Sequence, residues 1–227
     1  KIMKPQTIIH NQKRIDLCQE ENIFTVTSDS ITLVDFINIK KDDQKIIDFG
    51  SGIGTIPLLL STKTNRQIIG FEIQEKLVEL SNKTIKDNQL ENQIKIIHDK
   101  IQNSDKYFPP NSISLIVSNP PYFKLEEKSL KNPSPAKAIA RHELEITFEE
   151  LVESANKLLK NEGRFLFIHR TERFFELVET LKKYNLEPKR VQFVHPKRMR
   201  NATVFLLEAV KNGRPGLKIL PPIIRKD

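Results

Sequence analysis

A single cysteine, Cys18, serves the whole 227-residue chain, and tryptophan is absent. One thiol cannot close an internal disulfide, which excludes a disulfide-stapled scaffold and leaves Cys18 to be read as an inert buried residue. No apolar run approaches the ~20 residues that a membrane-spanning helix needs, and no charged-then-apolar leader opens the sequence. A reducing, cytoplasmic compartment is expected. Five histidines are scattered through the chain, and no Cys, His or Asp spacing suits a metal. No repeats divide it, and no Ser-His-Asp or Cys-His pairing argues for a hydrolase. The missing tryptophan by itself excludes nothing.

What is abundant is positive charge: 37 Lys and Arg against 29 Asp and Glu, a net +8. Such a balance favours a polyanionic partner such as nucleic acid, although heavy use of Lys, Asn and Ile from an AT-rich genome would produce it too. The length suits one α/β domain spanning 1–227, with an N-terminal arm and lead-in helix (1–44), a core (45–210) and a tail (211–227).

Residues 1–14 are polar and basic with little periodicity and read as an arm. Ile23–Thr27 alternates like a short strand, and Ser28-Asp29 reads as the cap of a helix through Ile37. The start of such a helix offers N–H groups to an anion. Lys45–Phe49 then reads as a strand running into Gly50-Ser51-Gly52-Ile53-Gly54 and a helix over Thr55–Leu60. A side chain at Gly50 or Gly52 would stand between backbone and ligand, and Gly54 would let the helix pack close. The G-x-G-x-G spacing differs from the G-x-G-x-x-G of dinucleotide binders.

Strand and helix alternate from there. Gln67–Phe71 is a strand ending in Glu72, 22 residues beyond Gly50, where a carboxylate can accept both hydroxyls of a ribose. The Glu75–Asn88 helix follows. Ile94–His98 is the next strand, with Asp99 at its end to accept an exocyclic amine and His98 reading as structural. Ile113–Val117, a fully apolar run, delivers Asn119-Pro120-Pro121-Tyr122 at the carboxyl end of a fourth strand. Two prolines cannot extend a ladder, so a strand-ending turn is the plainest reading. The acids Asp48, Glu72 and Asp99, placed along the same sheet edge, turn that reading toward a pocket. A polar loop follows over 123–138, then Arg141, a candidate phosphate contact, and a helix over Phe148–Leu159 capped near Thr147. Arg164–Ile168, a helix over Glu172–Tyr184, and the runs Arg190–Val194 and Thr203–Leu207 complete the pattern. Lys189, Arg190, Lys197, Arg198 and Arg200 form the densest basic patch, with Glu187 the acid offsetting it locally.

With this set in place the chain resembles the Rossmann-like methyltransferases that use S-adenosyl-L-methionine. The resemblance implies a mostly parallel seven-stranded sheet with an antiparallel last strand and helices on both faces. It further implies that Asp48, Gly50, Ser51, Gly52, Gly54, Glu72, Ile73, Asp99 and Asn119 hold the cofactor. Asn119, Pro120, Pro121 and Tyr122 would be catalytic, as in the amino-methylating branch that acts on adenine N6, guanine N2 or a glutamine amide. Phe24 with Ser28-Asp29, Ala140-Arg141-His142-Glu143 and Leu186–Gln192 look closest to bacterial tRNA adenine-N6 methyltransferases that modify the purine beside the anticodon of a valine tRNA. A monomer acting on tRNA, bound through Arg141, Lys189, Arg190, Lys197, Arg198 and Arg200 and needing no metal, is the expectation. Protein-glutamine, rRNA guanine-N2 and DNA adenine-N6 methyltransferases are the alternatives within the class, and a nicotinamide-dependent oxidoreductase and a catalytically silent RNA-binding module are the alternatives outside it.

Overall fold

The computed structural model describes residues 6–17, 27–120 and 146–225. A hairpin, β1 (Gln6–His10) and β2 (Lys13–Leu17), precedes α1 (Ser28–Phe36). Then come β3 (Lys45–Phe49), α2 (Thr55–Ser61), β4 (Gln67–Glu72), α3 (Glu75–Asp87), β5 (Ile94–His98) and β6 (Ile113–Ser118). After the undescribed segment follow α4 (Phe148–Leu158), β7 (Leu159–Arg170), α5 (Phe174–Lys183), β8 (Leu186–His195) and β9 (Val204–Lys211). Two-residue strands β10 (Lys218–Ile219) and β11 (Ile223–Ile224) end the order.

The main sheet runs β10-β8-β9-β7-β6-β3-β4-β5, with β11 also on β8. Strands β3 to β7 are mutually parallel, and β9 lies antiparallel between β7 and β8. The expected seven strands are therefore present, and the tail adds two more. Because β8 is antiparallel to β9, it points the same way as β6 and β7, so all three end on one edge. Every residue of β6 is buried, as a central strand covered on both faces requires. Alternate residues serve the two faces. Ile46, Leu115 and Val117 pack beneath α1, α2 and α3. Ile47, Ile116, Phe165 and Phe167 pack beneath α4 and α5. Aromatic rings concentrate on the second face, where Phe167 meets Phe148 at 5.0 Å and Phe205 at 5.9 Å between centroids.

Two expectations are corrected. The N-terminal arm is a docked hairpin: Asn11 and Gln12 turn with φ of 47° and 62°, the geometry of a two-residue hairpin loop. His10 fastens it, with Nδ1 2.6 Å from Thr62 Oγ1 and Nε2 3.0 Å from Asp35 Oδ1. Asn88 clasps both backbone groups of Asp16. Threonine, histidine and aspartate thus stand in line, but the Thr62 hydroxyl donates to the Leu59 carbonyl at 2.7 Å, so the group is a fastening and holds no nucleophile. The second correction concerns α1, whose cap is Thr27, one residue earlier than Ser28-Asp29. Of the residues singled out above, Cys18, Ile23–Val26 with Phe24, Pro121, Tyr122, the loop 123–138 and Ala140-Arg141-His142-Glu143 lie outside the described residues.

Candidate active site at the carboxyl edge of the sheet

Four strand ends and one helix start converge at this edge. After β3 the chain turns through Gly50, Gly52 and Gly54 at φ of 78°, 55° and 80°, which side chains rarely tolerate. A Cβ at Gly50 or Gly52 would meet nothing within 4 Å, so neither glycine is demanded by packing. They leave open a concave stretch of backbone. At Gly54 the crowding is against Ser81 of α3, 3.2 Å from such a Cβ, rather than against the strand. Gly70, which the sequence did not single out, is needed for packing: a Cβ there would fall 2.1 Å from Ser51 Oγ.

Asp48 is fully buried, and neither carboxyl oxygen has a hydrogen-bond partner among the described residues. Burial pushes its pKa up to about 8, with Ser51 tempering the shift and the Glu72 charge adding to it. The Ser51 hydroxyl donates to the main-chain carbonyls of Asp48 and Phe71. Glu72 is also buried, but it is satisfied: Gly52 N–H donates to Oε2 at 2.8 Å and Gln74 N–H to Oε1 at 2.9 Å. Burial raises its pKa against the pull of those N–H groups. Glu72 thereby clamps the glycine loop to the end of β4. Ile73 follows, its carbonyl 2.9 Å from His98 Nε2, which supports the structural reading of that histidine.

Asp99 is more occupied than expected. Its Oδ1 accepts from Lys100 N–H and Asn103 Nδ2, and its Oδ2 from the Tyr107 hydroxyl at 2.8 Å. The Asn103 bond, ahead of those from Tyr107 and Lys100, holds its pKa below the usual carboxylate value. Tyr107 in turn sets its ring edge-on to Phe71 at 5.7 Å. Any further donor must share this carboxylate.

Asn119 is half-buried and Pro120 buried at the end of β6. The Asn119 Nδ2 donates to Ser30 Oγ at 3.2 Å, tying the strand end to the first turn of α1, whose Thr27 cap accepts from Ser30 N–H. The start of α1 therefore lies beside Asn119. Ser30 was not legible in the sequence, since nothing local signals a partner 89 residues away.

The basic patch divides in two. Lys189 and Arg190 lie early in β8, away from this edge. Lys189 Nζ donates to the Arg214 carbonyl. Arg190 gives its guanidinium to Glu208 at 2.7 Å and to the Phe36 carbonyl, and stacks 4.5 Å over the Phe36 ring. Its counter-charge comes from a neighbouring strand, which the local reading around Glu187 missed; Glu187 itself pairs with Lys182. Arg190 is part-buried, with its guanidinium engaged by Glu208 and Phe36. Lys197, Arg198 and Arg200 are exposed in the turn after β8, at the site edge.

A three-layer α/β fold with a glycine loop after its first parallel strand and a buried acid beneath that loop is the architecture of a methyltransferase. Residues 14–193 match the family described as Methyltransferase small domain, and the chain belongs to it. It is 30% identical over 184 residues to a tRNA1(Val) (adenine(37)-N6)-methyltransferase of Pedobacter heparinus, covering 81% of this chain and 76% of that one. Among solved structures, a predicted O-methyltransferase of Agrobacterium tumefaciens superposes with a TM-score of 0.65 at 17% identity, covering 86% of each chain. A geranyl diphosphate C-methyltransferase of Streptomyces coelicolor, in complex with S-adenosyl-L-homocysteine, superposes with a TM-score of 0.61 at 12% identity over 80% of this chain and 76% of that one. These structures share the fold. No helix among the described residues is long and apolar enough to cross a membrane, and no group of metal-ligating side chains occurs among them.

Proposed function

We propose that this chain transfers a methyl group from S-adenosyl-L-methionine to the exocyclic N6 of an adenine in tRNA, with adenine 37 of a valine tRNA as the target. The observation that carries the reading is the juxtaposition at one sheet edge of an open glycine cradle, an orphaned buried acid and an oriented Asn119 amide. The named activity of the Pedobacter relative supplies the acceptor.

The residues fit the cofactor. Gly50 and Gly52 leave backbone exposed that any side chain would cover. Asp48 has unspent acceptors, and Glu72 stands where a ribose would meet the end of the second parallel strand. Ser51, Gly54, Ile73 and Asp99 complete the proposed cofactor set. When bound, S-adenosyl-L-methionine supplies an electrophilic methyl group. The rest of the chemistry falls to the chain. An exocyclic amine is a poor nucleophile because its lone pair is delocalised into the ring. With Nδ2 committed to Ser30, Asn119 keeps Oδ1 as its accepting end, and the Pro120 carbonyl is a second acceptor. Both, aimed at the amine N–H bonds, favour a pyramidal nitrogen and stabilise the positive charge it develops. Each such bond is worth roughly 1.5–3 kcal/mol to a charged group. Confined to the transition state, that is about ten- to over a hundredfold in rate. Pro121 and Tyr122 are assigned to holding the backbone and stacking on the extruded base. No general base is required, since the product cation loses its proton to water. The chain is proposed to act as a monomer in the cytoplasm.

The test is incubation with methyl-labelled cofactor and unmodified bulk tRNA, followed by digestion to nucleosides. Label in N6-methyladenosine is expected, with Asn119→Ala losing at least tenfold in kcat. Label in guanosine or in protein, with none in N6-methyladenosine, overturns the reading.

A further inference from the structure

Two side chains stand out from the surface near the site edge without serving the fold. Phe175 is 80% exposed in the first turn of α5, and Met199 is 96% exposed in the turn between β8 and β9, at a φ of 66°. The apolar stripe of α5 runs through Phe174, Leu177, Val178 and Leu181, at the spacing of one helical face. Phe175 is off that stripe. Its neighbour Phe174 does the packing, with its ring 4.9 Å from Phe205 and 5.6 Å from Phe193. The Phe175 ring stands edge-on to that anchored ring at 5.6 Å. A large apolar surface is thus held outward beside a part-buried, packed ring.

The ground next to it is cationic and ordered. His195 Nδ1 donates to the Arg200 carbonyl at 2.6 Å, and Arg200 N–H to the Lys197 carbonyl at 3.2 Å, closing the turn. Thr171, four residues before Phe175, bonds the base of the same turn through the carbonyls of Ala202 and Thr203. Arg198 and Arg200 are exposed and form no ion pair among the described residues. Of the acids in the turn carrying Phe175, Glu176 is paired with Arg173, leaving Glu172 exposed. β7, the strand beside β6, and β8, two strands further out, end on the same sheet edge as Asn119, which places this ground on the edge that carries the proposed pocket.

We infer that Phe175 is a stacking platform for an unpaired nucleobase flanking the target adenine, with the turn at 196–203 gripping the adjoining phosphates. An exposed aromatic ring next to guanidinium groups matches the two faces of single-stranded nucleic acid, base and backbone. A duplex, whose bases are already stacked, offers the ring nothing. The substrate is therefore recognised as a loop and not as a helix. This inference rests on the tRNA reading above.

The absence of tryptophan supplies the experiment, since Phe175→Trp introduces the sole indole of the chain. Its emission is titrated with an unmodified anticodon stem-loop and with a blunt RNA duplex of equal length. Saturable quenching by the stem-loop and little by the duplex is expected. Phe175→Ala should raise KM for tRNA about tenfold, with kcat and cofactor affinity unchanged, and Phe175→Tyr should restore it. Emission that stays constant at tRNA concentrations saturating methylation, equal quenching by the duplex, or an unchanged KM in Phe175→Ala overturns the platform. A wild-type chain that methylates no RNA refutes the tRNA reading itself. Methylation of tRNA alongside a silent indole refutes only the platform.

Discussion

Toward the amino ends of the parallel strands, buried charges meet and cancel; toward the carboxyl ends, a buried acid meets no hydrogen-bond partner among the described residues. At the first place Arg164, 2% exposed, pairs with Asp43, itself 1% exposed, and lies 3.5 Å from Glu208, which Arg190 also holds. The Asn38 and Phe36 carbonyls take further guanidinium protons. Two arginines face two acids, and the net charge is zero. At the second place Asp48 is as deeply buried but has no cation and no donor among the described residues. Burying an ionised carboxyl without a partner costs several kcal/mol, so the group holds its proton instead. One arrangement is complete as it stands; the other is left open among the described residues, and under the proposed function the cofactor completes it. The same sheet thus separates a self-satisfied polar cluster from the proposed cofactor site.

Breaking the complete cluster gives the largest expected effect. Arg164→Ala leaves Asp43 buried without its partner and should cost about 3–5 kcal/mol of stability, read from urea unfolding. The double variant Arg164→Met with Asp43→Leu should recover most of that loss, because an apolar pair of similar bulk needs no counter-charge. Cofactor affinity of the folded fraction should not change in either variant, since the cluster lies at the opposite end of the strands. A drop in affinity would erase the distinction drawn between the two ends.

The orphaned acid gives the next effect, and pH reveals it. Asp48 keeps its proton in the folded chain up to about pH 8, whereas in the unfolded chain it loses the proton near its ordinary value of about 4. Between those limits the folded state binds more protons, so stability falls as pH rises, by up to about 1.4 kcal/mol per unit. Asp48→Asn should flatten that slope between pH 5 and 8 and weaken S-adenosyl-L-methionine binding about tenfold by calorimetry. Parallel slopes for wild type and variant would mean that Asp48 is ionised when folded.

The comparison also explains what could be read in advance. Glycines at 50, 52 and 54 and acids at strand ends are local signals, and the alternation of apolar runs with helical spacing places them on one edge. The hairpin was missed because its turn is Asn11-Gln12, without the glycine that announces such loops, and because Gln6–His10 carries only a weak alternation. Arg190 and Arg198 look alike in a sequence. They differ because Glu208, on the strand beside β8, lies opposite Arg190 in register, and no local pattern carries that. Asp99 was placed at its strand end, but the donors Asn103 and Tyr107 that occupy it belong to the turn that follows. Partners distant along the chain escape a local reading, and so do nearby features that carry no turn or motif signature.

The contact least visible in the sequence yields the smallest predicted effect. Ser30 accepts from Asn119 Nδ2 at 3.2 Å while its own N–H is held by Thr27, so a helix start fixes which end of a strand-end amide faces outward. Ser30→Ala removes that constraint on the orientation of the Asn119 amide. A neutral hydrogen bond is worth about 0.5–1.5 kcal/mol, so kcat should fall roughly three- to tenfold, with KM for both substrates unchanged. Ser30→Thr keeps the hydroxyl and should restore the rate. A purely structural serine would instead lower the melting temperature and leave the kcat of the folded enzyme intact. Should Ser30→Ala behave that way, the link between α1 and β6 belongs with the completed cluster at the other end of the sheet, and only the Asp48 side of the site remains distinct from it.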